Sequence, residues 1–203
     1  MTAAAYDEPA VIAWGWAGSA LELVSGDLHV VVPFRRGALV ALLDGLGHGP
    51  EAAAAASAAT PVLEAAPSDP VLDLVRRCHE ALRKTRGVVM SVASFRAAES
   101  TMTWLGVGNV DGVLLRTGGQ HGEAIACRGG VVGYQLPPLR ASSLRVSPGD
   151  TLILTTDGIR GGFAAELAIG DSPQELAELI LARHAKGSDD AHVVVARYLG
   201  GPP

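Results

Sequence analysis

Cysteine is scarce. Cys78 and Cys127 are the only two in 203 residues, and no CxxC or CxxxC spacing joins them, which excludes a disulfide framework and a thiolate zinc site. Basic residues are short as well: 16 Lys and Arg against 21 Asp and Glu leave a formal net charge of -5, which argues against a general affinity for nucleic acid or anionic membrane. No apolar run approaches the roughly 18 residues that a membrane helix needs. The first ten residues carry Asp7 and Glu8 where a signal peptide has basic and apolar blocks, so a soluble, cytoplasmic protein is expected. Only 18% of residues are charged, yet 48% are hydrophobic and 25 are glycine, a composition far from that of disordered, collagenous or coiled-coil chains. One domain spanning residues 1–203 is expected, with the motif-bearing core over about 11–198.

Short apolar runs punctuated by turn residues fill the first third of the chain. Val11 to Ala17, Ala20 to Val24 and His29 to Pro33 read as strands joined by tight turns. Gly37 to Leu43 is apolar on both alternating faces, as a strand covered on both sides would be, and Asp44-Gly-Leu-Gly-His-Gly49 stops it abruptly. A first helix is expected from Pro50 to Thr60, with Pro61 ending or kinking it. A second begins with Asp69 as cap and Pro70 at its first position, its apolar stripe being Val71, Val75, Cys78 and Leu82. Strands return over Val88 to Phe95 and Thr101 to Val107, and loops with short strands are expected from Thr117 to Arg140. After the strand Thr151 to Thr156, a third helix carries a capping box at Ser172 and Glu175, with Leu176, Leu179 and Ile180 facing inward; the strand His192 to Tyr198 closes the chain.

The aspartates sit at informative places. Asp44 and Asp157 each follow an apolar strand directly, whereas Asp27 and the pair Asp189-Asp190 each precede one. In antiparallel pairs the end of one strand lies beside the start of its neighbour, so these carboxylates can gather at one edge of a sheet. Such a cluster cannot stay ionised without a compensating positive charge. An all-oxygen donor set suits magnesium or manganese rather than zinc. Two such ions sharing a carboxylate would activate water for attack on phosphorus. Each Asp-Gly pair is equally a common turn signal, and both readings stand at the level of residues alone.

Taken in order, Ser25-Gly26-Asp27-Leu28, Asp44-Gly-Leu-Gly-His-Gly49, Leu152-Ile-Leu-Thr-Thr-Asp157-Gly158 and Ser188-Asp-Asp-Ala191 resemble the motifs of the PPM-type metal-dependent protein phosphatases, SpoIIE-like branch. With Gly106-Val-Gly-Asn109 and Gly130-Val-Val-Gly133, and no sensor domain, the chain looks most like the stress-response members of that branch, which act on stressosome proteins. The resemblance implies an α+β fold, a four-layer α-β-β-α sandwich of two antiparallel sheets flanked by helices. It also implies two divalent cations, manganese or magnesium. Asp44 would bridge both, the Gly45 carbonyl would bind one, Asp157 and Asp189 would ligate the other, and Asp27 would act through metal-bound water. Asp190, His48 and Asn109 are candidates for supporting or substrate-contacting roles. The activity implied is a protein serine/threonine phosphatase, a phosphoric monoester hydrolase in which metal-activated water attacks phosphoserine or phosphothreonine of a STAS-domain regulator, either of the stressosome or an anti-sigma antagonist.

Two departures from the larger branch of the family stand out. The histidine expected two residues after the bridging aspartate is replaced by Leu46, and the phosphate-binding arginine has no secure counterpart; Arg35 and Arg36 are candidates, or a solvated hairpin pair. The alternative function is a catalytically degenerate binding module of the same fold in a signalling complex. Filling of every acidic ligand position by aspartate argues against it.

Overall fold

A computed structural model describes residues 10–119, 122–167 and 170–201. The acidic start read above as lacking a signal peptide, up to residue 9, lies outside the described residues. Among these, two five-stranded antiparallel sheets face each other. One has the order β1-β10-β9-β6-β7, built from Ile12–Ser19, Ala191–Tyr198, Thr151–Thr155, Asp111–Leu115 and Gly122–Ile125. The other has the order β2-β3-β4-β5-β8, built from Asp27–Phe34, Gly37–Gly45, Val88–Arg96, Thr101–Val107 and Ser142–Arg145. Between them lies a core of alternate strand residues, including Leu42, Phe95, Trp104, Leu154, Val194 and Tyr198. The opposite faces of the strands are covered by helices: α1 (Pro50–Ala65) and α2 (Val71–Leu82) on the second sheet, α3 (Pro173–His184) on the first. The expected four-layer α-β-β-α sandwich is therefore the observed one. It also explains why β3, β4 and β10 read as unbroken apolar runs, since both of their faces are buried.

The helices differ from expectation at their ends. Pro61 lies inside α1, which runs on to Ala65. Both Pro61 and Ser57, whose carbonyl loses its intrahelical donor, are exposed to water, so the missing hydrogen bond is replaced by solvent and burial of Leu63 continues the helix. Pro70 is the N-cap of α2 rather than its first residue, with its carbonyl accepting from Asp73 and Leu74, while the Asp69 carboxylate is drawn away to Arg77 at 2.7 Å. The capping box of α3 forms as expected, but Leu176, Ala177 and Ile180 carry its buried face and Leu179 is only half-buried.

The largest correction falls on residues 20–24, which form bends rather than a strand. Their backbone is captured elsewhere: the Leu21 and Gly26 amides donate to Asp190, leaving no ladder to extend β1 or β2. In every pairing the acidic motifs arrive at the same rim. Asp27 stands opposite Asp44, Ser19 opposite Ala191, and Thr155 is flanked by Val193 and Asp111.

Candidate metal centre

Asp44 is the penultimate residue of β3 and Asp27 begins β2, so the two carboxylates are direct cross-strand partners, an arrangement that sheets ordinarily avoid for like charges. Two glycines let the remaining acids close in. A Cβ on Gly45 would overlap the carbonyl of Ala52, so only glycine lets α1 pack against the end of β3. A Cβ on Gly158 would overlap the carbonyl of Asp190, which is how the turn after Asp157 nests against the turn of Asp189 and Asp190. Asp44, Asp157 and Asp189 consequently line one cleft of about 360 Å³, together with His48 and Asn109. A roomier groove of about 530 Å³ beside Trp14 offers only His29 and Glu64 as titratable lining groups.

The surroundings of each acid are specific. Asp27 is 7% exposed and accepts a hydrogen bond from the Thr156 hydroxyl at 2.8 Å, and that same hydroxyl accepts from the His192 amide. Asn109 donates its amide to Asp157 at 2.7 Å. Asp190, also buried, accepts from the Leu21 and Gly26 amides at 2.7 Å each. Asp189 turns one oxygen back to the Asp190 amide at 2.9 Å.

Burial, followed by the facing carboxylates Asp27, Asp157, Asp189 and Asp190, pushes Asp44 up from its ordinary 3.8 to about 8. Burial again leads for Asp27, which rises to about 7 against the opposing Thr156 hydrogen bond, with Asp190, Asp157 and Asp189 adding to the rise. No lysine or arginine is among the groups acting on either acid. Behind them, His29 Nδ1 and His192 Nε2 are 2.9 Å apart, and burial drives His192 down to about 3, so it brings no positive charge.

Among the described residues, no three His, Cys, Asp or Glu side chains are already gathered around one point where an ion could sit. The hydrogen bonds above explain why, since Asn109, Thr156 and the amides of the 20–26 loop each hold an acid in place. The donor set nevertheless fits a divalent cation. It consists of oxygens alone, it converges from a buried Asp27 to an exposed Asp189, and burial with mutual repulsion pushes Asp27 up to about 7 and Asp44 to about 8.

The acids picked from sequence, with Gly45, His48 and Asn109, lie at this rim, but their partners were not all foreseen. His48 pairs through Nδ1 with Glu22 at 2.8 Å, joining two loops. Asn109, a candidate from sequence for a supporting or substrate-contacting role, lines the cleft. Arg35 and Arg36 occupy the tip of the β2–β3 hairpin, about 23 Å of strand from Asp27, so neither supplies the cleft with an arginine. Thr156 stands inside a motif and Glu22 near one, but neither gave a signal of its own.

The sequence profile of the Stage II sporulation protein E (SpoIIE) family matches residues 35–199. The chain is 22% identical to the phosphoserine phosphatase RsbX of Bacillus subtilis (strain 168) over 175 residues, covering 86% of this chain and 87% of that one. Among solved structures, RsbX in complex with magnesium superposes with a TM-score of 0.83 at 21% identity, covering 92% of this chain and 95% of that one. A chain described in work on the bacterial stressosome, a modular system adapted to control secondary messenger signalling, also reaches 0.83, at 28% identity over 92% of this chain and 99% of that one. The PP2C phosphatase domain of SpoIIE from Bacillus subtilis, solved with a fragment of its regulatory domain, reaches 0.77 at 23% identity over 95% of this chain and 64% of that one.

Proposed function

The chain belongs to the SpoIIE family and is a phosphatase of the PPM type, and from that premise we propose that it is a metal-dependent protein serine/threonine phosphatase whose substrate is a phosphorylated STAS-domain regulator of a stress-response system. One observation carries the reading: carboxylates converge at the sandwich rim with no lysine or arginine among the groups acting on Asp27 and Asp44, and burial and mutual repulsion push these two up to about 7 and about 8. Asp44, Asp157, Asp189 and the Gly45 carbonyl would hold two divalent cations, manganese or magnesium, with Asp27 contributing through water. When bound, the ions supply a water made nucleophilic at neutral pH and a screen for the phosphoryl oxygens.

The chain's own residues do the rest. Asn109 and Thr156 hold the Asp157 and Asp27 carboxylates in place, and Asp44 would give up its proton on becoming a ligand. The STAS-domain substrate is supported by the likeness to RsbX and to the stressosome-associated chain. No helix among the described residues is long and apolar enough to cross a membrane.

The expected result is phosphate release from phosphoserine substrates that requires manganese or magnesium, stops on chelation, and falls by orders of magnitude in Asp44→Asn and Asp157→Asn. Undiminished turnover in either variant would sink the reading. A chain that takes up no manganese at millimolar concentration in calorimetry is instead a degenerate binding module.

A further inference from the structure

The loop between β1 and β2 projects three apolar side chains into water: Leu21 is 50% exposed, Leu23 102% and Val24 44%. The loop that carries them is tied at both ends. The amides of Leu21 and Gly26 donate to the two oxygens of buried Asp190, at 2.7 Å each, and the Asp27 amide donates to Ser25 Oγ at 3.1 Å. Midway, Glu22 pairs with His48 at 2.8 Å. These bonds fix the loop to the turn that bears Asp189 and to the loop that follows Asp44, two walls of the acid cleft. They also direct its one charged side chain to a partner within the molecule, so the chemistry turned outward is apolar. The cleft itself is lined by acids, Asn109, His48 and small or aliphatic residues, with no lysine or arginine, and so offers little that distinguishes one phosphorylated molecule from another.

Anchored apolar side chains left in water beside a reaction site mark a surface that a macromolecule covers. We infer that Leu21, Leu23 and Val24 form a docking lip for the folded phosphoprotein substrate, which presents an apolar patch beside its phosphorylated side chain. The inference rests on the phosphatase reading above and deepens it. The lip borders the cleft, so a folded domain delivering a phosphoryl group to Asp44 and Asp157 covers it, whereas a small aryl phosphate enters without contact.

The test compares two probes in manganese: p-nitrophenyl phosphate and a serine-phosphorylated STAS-domain protein from the same organism. Two variants are used, the triple Leu21→Ser/Leu23→Ser/Val24→Ser and the single Leu23→Asp. The expected result is a drop of about tenfold or more in kcat/KM for the STAS-domain protein, carried mainly by KM. Turnover of p-nitrophenyl phosphate and the melting temperature should stay at wild-type values. Equal loss on both probes, or loss on neither, overturns the inference. So does a wild-type dimer that the variants convert to monomer, because the lip then serves a second copy of this chain. Wild-type protein inactive on both probes strikes the phosphatase reading instead. The lip is then decided by biolayer interferometry with the same STAS-domain protein, weaker binding by the variants upholding it and unchanged binding overturning it.

Discussion

The two rims of the sandwich treat buried aspartate in opposite ways. At the rim away from the cleft, Asp150 is 3% exposed and fully partnered, by the amides of Thr117 and Ser147 at 2.9 and 3.0 Å and by Arg116 at 3.0 Å. Burial alone would raise it, but those amides and then the guanidinium overcome the burial and hold it below its ordinary value. At the cleft rim burial, and after it the neighbouring carboxylates, push buried Asp27 up to about 7 and half-buried Asp44 to about 8, with no amide or guanidinium set to overcome it. Asp150 closes a turn and is finished by the chain itself. Asp27 and Asp44 are left unfinished, and what completes them must come from outside.

Exchanging the two treatments by mutation is the strongest way to break this comparison. Asp44→Asn should lower metal-supported phosphate release by roughly three orders of magnitude or more, while the metal-free protein melts no lower than wild type, since a repelled carboxylate has been removed. Parallel phosphate-release assays and thermal melts check both halves. Asp150→Asn should do the reverse: a loss of about 2–3 kcal/mol in denaturant titration, because the partly exposed Arg116 loses one of its two carboxylates and keeps Glu123 and the Arg145 carbonyl, with turnover per folded molecule unchanged.

The pH dependence sharpens the contrast. Folded Asp27 and Asp44 bind protons more tightly than the unfolded chain, so the stability they contribute is complete below their ordinary 3.8 and is lost as pH rises through about 7 and about 8. Asp150 contributes in the opposite sense, and its share is lost only in acid, as pH falls through its lowered value. The melting temperature of metal-free protein should therefore fall between about pH 4 and pH 8. Saturating manganese should flatten that slope, because liganded carboxylates no longer take up protons. A slope unchanged by metal would place the ion elsewhere. The smallest effect expected is that of Asn109→Ala, which frees the Asp157 carboxylate and should weaken manganese binding about tenfold in calorimetry.

Much of this was legible in the sequence because strand ends are loud. An apolar run broken by Asp-Gly shows both where a buried strand stops and which side chain stands at its tip, and antiparallel pairing then brings Asp27, Asp44 and Asp157 to one rim. What escaped was set by contacts distant along the chain. Residues 20–24 have the apolar look of a strand, and only the capture of the Leu21 and Gly26 amides by Asp190, more than 160 positions away, makes them a loop. Pro61 reads as a stop, but the packing of Leu63 against the second sheet outweighs one missing hydrogen bond at an exposed turn. Strand β8, Ser142–Arg145, is polar and nearly all exposed; its place is fixed by pairing with β5, for which no local periodicity exists.

The register of β1 with β10 places Ile12 beside Tyr198, at the rim remote from the acids. A domain or surface attached through either of these strands would sit about 25 Å from the cleft, one strand length away, and leave it open. A flexible tether of about twenty residues spans that same distance on average. A phosphoprotein held on such a tether would meet the cleft at an effective concentration near the millimolar range, so that its encounter becomes a first-order event set by linker length rather than by diffusion through the cell.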